Sequence, residues 1–262
     1  MTGKSDITIS VTHHCIADVS SPIRALAAAG AEGLDMVEFF GSDFTMEDLG
    51  SIRRHAASQG LLLAWHPWLN IAGLRWAAGI AGCLEDIVED AVVMGASNIV
   101  MHMGEAPPDE RRSHLVSVVE GFRMASRRAL AAGVRFAVEN VPSYVPGVLG
   151  DEFEDFEFLF SQTDPAAVGF TLDTGHALMK GGCLEWLGRF RSRLIHAHIH
   201  SNDGVDDEHA PFLRGVLDWQ EVLGEMMEAG FAGPYNIEFA YGKGGGALCS
   251  LLRKLASEKL AR

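Results

Sequence analysis

A strand-like run of alternating imidazoles, Leu194-Ile195-His196-Ala197-His198-Ile199-His200, breaks into Ser201-Asn202-Asp203 and is followed by Asp207-Glu208-His209. Side chains on a strand alternate between faces, so His196, His198 and His200 share one face and Ile195, Ala197 and Ile199 the other. Three stacked imidazoles are awkward as plain core, because their ring nitrogens need partners. They suit a divalent cation bound where the strand emerges, with His200 as the ligand and His196 and His198 deeper, orienting or packing. Asp207 and His209 add a carboxylate and an imidazole within one short loop.

Similar donors close other apolar runs. Leu61–His66 ends on His66, Ser97–His102 on His102 and Val134–Glu139 on Glu139. Val168–Leu172 leads into Asp173-Thr174-Gly175-His176, and Tyr235–Phe239 contains Glu238. Glu139 and Glu238 both follow apolar residues, where a carboxylate without a cation or metal is costly. Asp173 and His176 form an i, i+3 pair where a strand turns into a helix. His13, His14, His55 and His114 lack such a context and default to surface or helix positions.

The elements that must position these groups are legible from end to end. Ile7–Val11 and Leu34–Phe39 are the first two strands, and the runs above, with Leu194–His200, supply six more. Pro22 opens and Gly30 closes the first helix. Thr45 caps the next, with Asp48 at capping-box spacing and Gly60 as the stop. An amphipathic segment covers Leu84 to Met94, and Pro107-Pro108 opens a long helix from Asp109 to Ala132, closed by Gly133. Further helices start at Asp151 and after Asp218, the latter ending at Gly230, and the last runs from Ala247 to Leu260. Leu61–His66 reads as a strand buried on both faces. Eight strand–helix units without a linker-like break predict an α/β fold, a single closed parallel (β/α)8 barrel over residues 1–262. An open doubly wound sheet would carry a phosphate-loop fingerprint after its first strand, where this chain has Thr12-His13-His14-Cys15. In a barrel, reactive groups come from the C-terminal ends of the strands, and every strand from the third to the eighth puts a metal-type ligand there.

The 262 residues are 48% hydrophobic, enough for a sizeable core, and 21 Lys+Arg against 35 Asp+Glu give a formal charge of −14. That balance disfavours a nucleic-acid partner, whose affinity depends on basic residues neutralising phosphates. Cys15, Cys83, Cys183 and Cys249 are far apart with no C-x-x-C pair, which fits free thiols in a reducing compartment. Met1-Thr2-Gly3-Lys4-Ser5-Asp6 runs into the first strand without a signal-peptide core, and no apolar run reaches membrane-spanning length. The expected location is the cytoplasm, and the expected partner a small molecule, with no membrane contact; a homo-oligomer is compatible with this reading.

The set His66, His102, Glu139, Asp173-x-x-His176, His200-x-x-Asp203, Asp207-x-His209 and Glu238 resembles the xylose isomerase-like TIM-barrel superfamily, over about Ile7 to Phe239. Within it the chain is similar to sugar phosphate isomerase/epimerase-type proteins and to the endonuclease IV branch, apurinic-site endonuclease family 2. The first resemblance implies one divalent ion held by Glu139, Asp173, His200 and Glu238. The second implies the same four plus His66, His102, His176, Asp207 and His209, holding three zinc ions. The resemblance thus implies one to three ions per chain. Imidazole-rich ligation suits zinc, iron or manganese better than magnesium.

Departures from the nuclease pattern separate the two. The loops Phe40-Gly41-Ser42-Asp43 and Pro67-Trp68-Leu69-Asn70 are short and not basic, unlike loops that penetrate DNA. After His209 the chain reads Ala210-Pro211-Phe212-Leu213-Arg214-Gly215, where the family commonly has a glycine-rich turn. Trp65, Trp68 and Phe212 are candidates to line a small pocket. Lys243, in Gly242-Lys243-Gly244-Gly245-Gly246, and Arg214 are candidate anion contacts. The expected activity is isomerisation or epimerisation of a small sugar or sugar phosphate, through an enediolate stabilised by the ion. Glu139 and Glu238 move the proton and His176 positions a hydroxyl. The rival is a multinuclear zinc phosphoester hydrolase, with both glutamates as ligands.

Overall fold

The computed structural model describes residues 7–17, 21–142, 144, 146–211 and 214–260. Met1 to Asp6, Ser143, Val145, Phe212 and Leu213 lie outside the described residues, so the expectations placed on the N-terminal segment and on Phe212 stay there. Eight parallel strands close into one barrel in sequence order. They are β1 Ile9–Thr12, β2 Met36–Phe40, β3 Leu62–His66, β4 Asn98–Met101, β5 Arg135–Glu139, β6 Val168–Asp173, β7 Leu194–Ile199 and β8 Tyr235–Ile237. Closure comes from β1 pairing with β8, Ser10 opposite Asn236.

Among the described residues, ten α-helices connect and cover them: α1 His13–Ile16, α2 Pro22–Ala31, α3 Met46–Gln59, α4 Ala77–Met94, α5 Arg111–Ala132, α6 Phe153–Gln162, α7 Thr174–Leu178, α8 Cys183–Phe190, α9 Trp219–Glu228 and α10 Gly245–Leu260. Local chemistry explains their ends. Thr45 and Asp48 form the reciprocal capping box of α3, and Gly60 and Gly133 end α3 and α5 in the left-handed conformation that glycine adopts without strain. The predicted barrel is correct, and the strand ends shift by one or two residues. The turn into α7 after Asp173 was expected, whereas the four-residue α1 and the eight-residue α8 escaped the sequence. Leu62, read as buried, is 54% exposed at the entrance of β3.

The apolar core fills the space between strands and helices, with Leu26, Ile52, Leu84, Phe122, Leu159, Trp186, Leu223 and Leu252 all buried. The barrel interior is different. Ser10, Thr12, Glu38, His196, His198 and Asn236 are wholly buried polar residues, where barrel layers are ordinarily filled by branched aliphatic side chains. The four cysteines are free thiols. Among the described residues no helix is long and apolar enough to cross a membrane.

Candidate metal centre

Glu139 ends β5 and Asp173 ends β6, while Glu238 lies one residue beyond β8; all three are at least 94% buried. His198 stands between them. Its Nδ1 is 2.9 Å from Glu238 Oε2, 3.2 Å from Glu139 Oε1 and 3.7 Å from Asp173 Oδ2. Glu139, Asp173, His198 and Glu238 each offer a ligand atom within 4.8 Å of the others. Three carboxylates and one imidazole so placed are a donor set for a divalent cation of zinc, manganese or iron type.

In this set His198 stands where the resemblance implied His200, which falls instead in two adjoining candidate sets, one with Asp173 and His176 and one with His209 and Glu238. Strand register is the reason: His198, not His200, sits opposite Asp173 across the β6–β7 pair and opposite Asn236 across β7–β8. His200 lies past the strand end and gives its Nε2 to Asp173 Oδ2 at 2.9 Å. Its ring stacks flat on His209 at 4.1 Å. Gly175 makes room for that ring, since a Cβ there would lie 2.0 Å from His200 Cε1. His198, read from the sequence as deeper and only orienting or packing, is thus at the centre.

Around the four lie the other expected groups. His102 Nε2 and His66 Nε2 approach Glu139 Oε2 at 3.3 and 3.7 Å. His176 places Nδ1 3.4 Å from Glu139 Oε1 and Nε2 3.1 Å from Asp207 Oδ2. His209 Nε2 is 3.3 Å from the same Asp207 oxygen. Asp173 also caps α7, accepting from the His176 N–H at 2.7 Å, and Asn140 bonds reciprocally with the Asp173 backbone at 2.8 and 3.0 Å. That bond ties the end of β5 to the end of β6. Asp203 is not part of the site; it is exposed and accepts the Val205 and Asp206 N–H groups in a turn.

The electrostatics follow from burying carboxylates among imidazoles. Burial pushes the Glu139 carboxyl up, but His198 and His102 together hold it well below the usual carboxylate range. Burial would lower His198, yet Glu139, Glu238 and Glu38 raise it well above an ordinary histidine. Burial likewise opposes and Asp207 outweighs it at His209, which is lifted to about 9. Glu139 Oε2, Glu238 Oε2, His198 Nδ1 and His102 Nε2 are buried polar atoms without a hydrogen-bond partner among the described residues. Such atoms are costly when left unpaired; a divalent cation held by Glu139, Asp173, His198 and Glu238 would satisfy the first three, while His102 belongs to an adjoining set with His66 and Glu139. The donor set therefore fits a metal ion.

Above this cluster opens a cavity of about 470 Å³, lined among others by His14, Phe40, Trp68, Asn70, Glu105 and Tyr144. His14, assigned by default to a surface or helix position, lines it because the unforeseen α1 sits on the barrel mouth. His13, treated likewise, is buried, its Nδ1 accepting from the Phe40 N–H at 3.2 Å. Trp68 lines the cavity while 60% exposed. Trp65 is buried below it in the apolar core, so it packs and does not line. Arg214 and Lys243 are exposed and outside the lining, and among the described residues no lysine or arginine occurs in it. Glu38, missed from the sequence, is fully buried beneath the centre and pairs with His198 Nε2 at 3.1 Å. Its only sequence signal was a carboxylate inside the apolar run Met36-Val37-Glu38-Phe39-Phe40.

Comparisons with known proteins bear on the fold and the family. The uncharacterized protein MJ1311 of Methanocaldococcus jannaschii is 32% identical over 164 residues, covering 60% of this chain and 55% of that protein. The chain thus spans about half the length of the curated relatives it matches. A solved D-tagatose 3-epimerase-like protein superposes with a TM-score of 0.82 at 22% identity, over 97% of this chain and 100% of the other. An AP endonuclease, family 2, from Brucella melitensis gives 0.74 at 19% identity, over 89% and 93%. At those identities the likeness is one of fold. Residues 23–257 match the family model described as xylose isomerase-like TIM barrel, and with the closed barrel and its rim of ligands described, the chain belongs to that family.

Proposed function

We propose that the protein is a divalent-metal-dependent isomerase or epimerase of a small, unphosphorylated sugar. The observation that carries this reading is the pairing of the Glu139–Asp173–His198–Glu238 set with a small cavity that no lysine or arginine lines among the described residues. A phosphate-bearing substrate would call for cationic side chains in that lining, and the two candidates, Arg214 and Lys243, lie outside it. Histidine, asparagine and carboxylate groups around the walls are suited instead to hydroxyls, with Phe40 and Trp68 against the apolar face of a sugar ring.

A bound ion would supply Lewis acidity at neighbouring substrate oxygens and so acidify the C–H between them. Glu139 and Glu238 flank His198 from two strands and act as the base that removes that proton and the acid that returns it. His176, fixed through Nδ1 on the Asn140 carbonyl at 2.8 Å, positions a substrate hydroxyl. Trp68 and Tyr144 line the cavity from its exposed side.

One observation favours a second reading. Glu139 also belongs to a set with His66 and His102, and a further set joins Asp173, His176 and His200. Sets that adjoin through shared carboxylates suit two or three ions and phosphoester hydrolysis. Metal content by plasma emission, after purification without added metal, separates the readings: about one ion per chain supports the isomerase, two to three the hydrolase. Deuterium uptake from heavy water into a ketose or its epimer supports proton transfer. Cleavage of an abasic-site duplex without any exchange overturns the leading reading.

A further inference from the structure

Glu38 sits where a barrel interior is normally apolar, and it is wholly buried. Donors converge on both of its oxygens. Oε1 accepts from Thr12 Oγ1 at 3.4 Å and from Asn236 Nδ2 at 3.3 Å, and Asn236 Nδ2 also donates to Thr12 Oγ1 at 2.7 Å. Oε2 accepts from His198 Nε2 at 3.1 Å, with His196 Nε2 3.0 Å away and His66 Nδ1 3.5 Å from Oε1. Glu38 also stands in a candidate ligand set with His66, His198 and Glu238, but the bonds from Thr12, Asn236 and His198 already occupy its oxygens as acceptors.

Surrounded this way, the carboxylate is acceptor-only, so a proton of His198 stays on Nε2, and Nδ1, which faces Glu139, Asp173 and Glu238, is the nitrogen that gives up its proton to a cation. We infer that Glu38 is the positioning residue that fixes His198 as an Nδ1 ligand, held in turn by Thr12 of β1 and Asn236 of β8. This rests on the metal-site reading above. It explains why a carboxylate is buried one layer below the centre. A histidine that ligates a metal generally gives its other N–H to such an acceptor, and losing the acceptor weakens metal binding by about 10–100-fold.

The test uses the full chain, stripped of metal and titrated with cobalt(II). Glu38→Gln keeps the side-chain volume, and cobalt affinity is expected to fall by about 10–100-fold with unchanged stoichiometry. The hyperfine-shifted, solvent-exchangeable N–H proton of His198 in the cobalt-loaded protein is expected to shift or exchange faster. Thr12→Val removes one donor to Glu38 without touching His198, and weakens binding less in the same direction. A Glu38→Gln protein that melts lower but binds cobalt as wild type, with the N–H signal unmoved, overturns the inference and leaves Glu38 a structural acceptor. If Glu38→Gln does not fold, unchanged affinity in both Thr12→Val and Asn236→Ala overturns it. Wild-type protein that takes up no cobalt overturns the metal-site reading itself, a result distinct from failure of the variants alone.

Discussion

Two clusters of buried charge in this molecule are built on opposite principles. At the start of α5, Arg111 donates to Asp155 through two nitrogens at 3.0 and 2.6 Å, to Asp151 at 2.7 Å and to the Val148 carbonyl at 3.0 Å. Asp155 also accepts the Gly150 N–H at 2.8 Å. Every formal charge there has its partner in the chain, and the product is a fixed loop beside the cavity. At the barrel mouth Glu139, Asp173 and Glu238 converge, and among the described residues no lysine or arginine lines the cavity and imidazoles are the cationic groups beside them. Several facing atoms have no hydrogen-bond partner among the described residues. Arg111 completes a structural joint within the chain, whereas the rim is a set of donors suited to a divalent cation.

The contrast can be broken most directly at the rim. Glu139→Gln and Glu238→Gln should each lower turnover by about 10³-fold or more with melting temperatures close to wild type. An unfolded variant, or one that turns over normally, would make the rim structural like the Arg111 joint. Asp155→Ala should do the reverse. It strands a partly buried guanidinium and should cost about 3 kcal/mol in urea unfolding, while the metal content of the folded protein is unchanged. Zinc or manganese at a hundred times its Kd should then stabilise the metal-stripped protein by about 2.7 kcal/mol, and Glu139→Gln should lose most of that gain. Calorimetric scans with and without metal check both. Smallest is Trp68→Ala, at an exposed side of the cavity: KM should rise less than about tenfold, or roughly 1 kcal/mol, with kcat near wild type. A collapse of kcat instead would put Trp68 in the chemistry.

The barrel was legible because its signals are local. Period-two apolar runs, the Thr45–Asp48 capping box and the glycine stops at Gly60 and Gly133 each act over a few residues, and their alternation leaves few folds open. The site was legible as a roster: all nine residues expected to hold metal do gather at one rim. Their roles were not. His200 was chosen over His198 because it is the last imidazole of the run, and sequence does not say how far each strand rises in a tilted barrel. Glu38 gave only a faint signal, since one carboxylate in an apolar strand has no meaning until the residues opposite it are known. Arg214 and Lys243 were chosen for their charge, and neither is among the residues that line the cavity.

What the sequence determined by itself is the kind of chemistry available: many imidazoles and carboxylates at strand ends, few cations near them, and the repeating units that close a cylinder. What only the tertiary structure decided is which atoms meet. Pairing His198 with Asp173 and Asn236 across two strand interfaces sets its height in the barrel, and that height aims one nitrogen at three carboxylates and the other at Glu38. Register is a property of strands hundreds of atoms apart along the chain, fixed when the barrel closes, and no short stretch of sequence contains it.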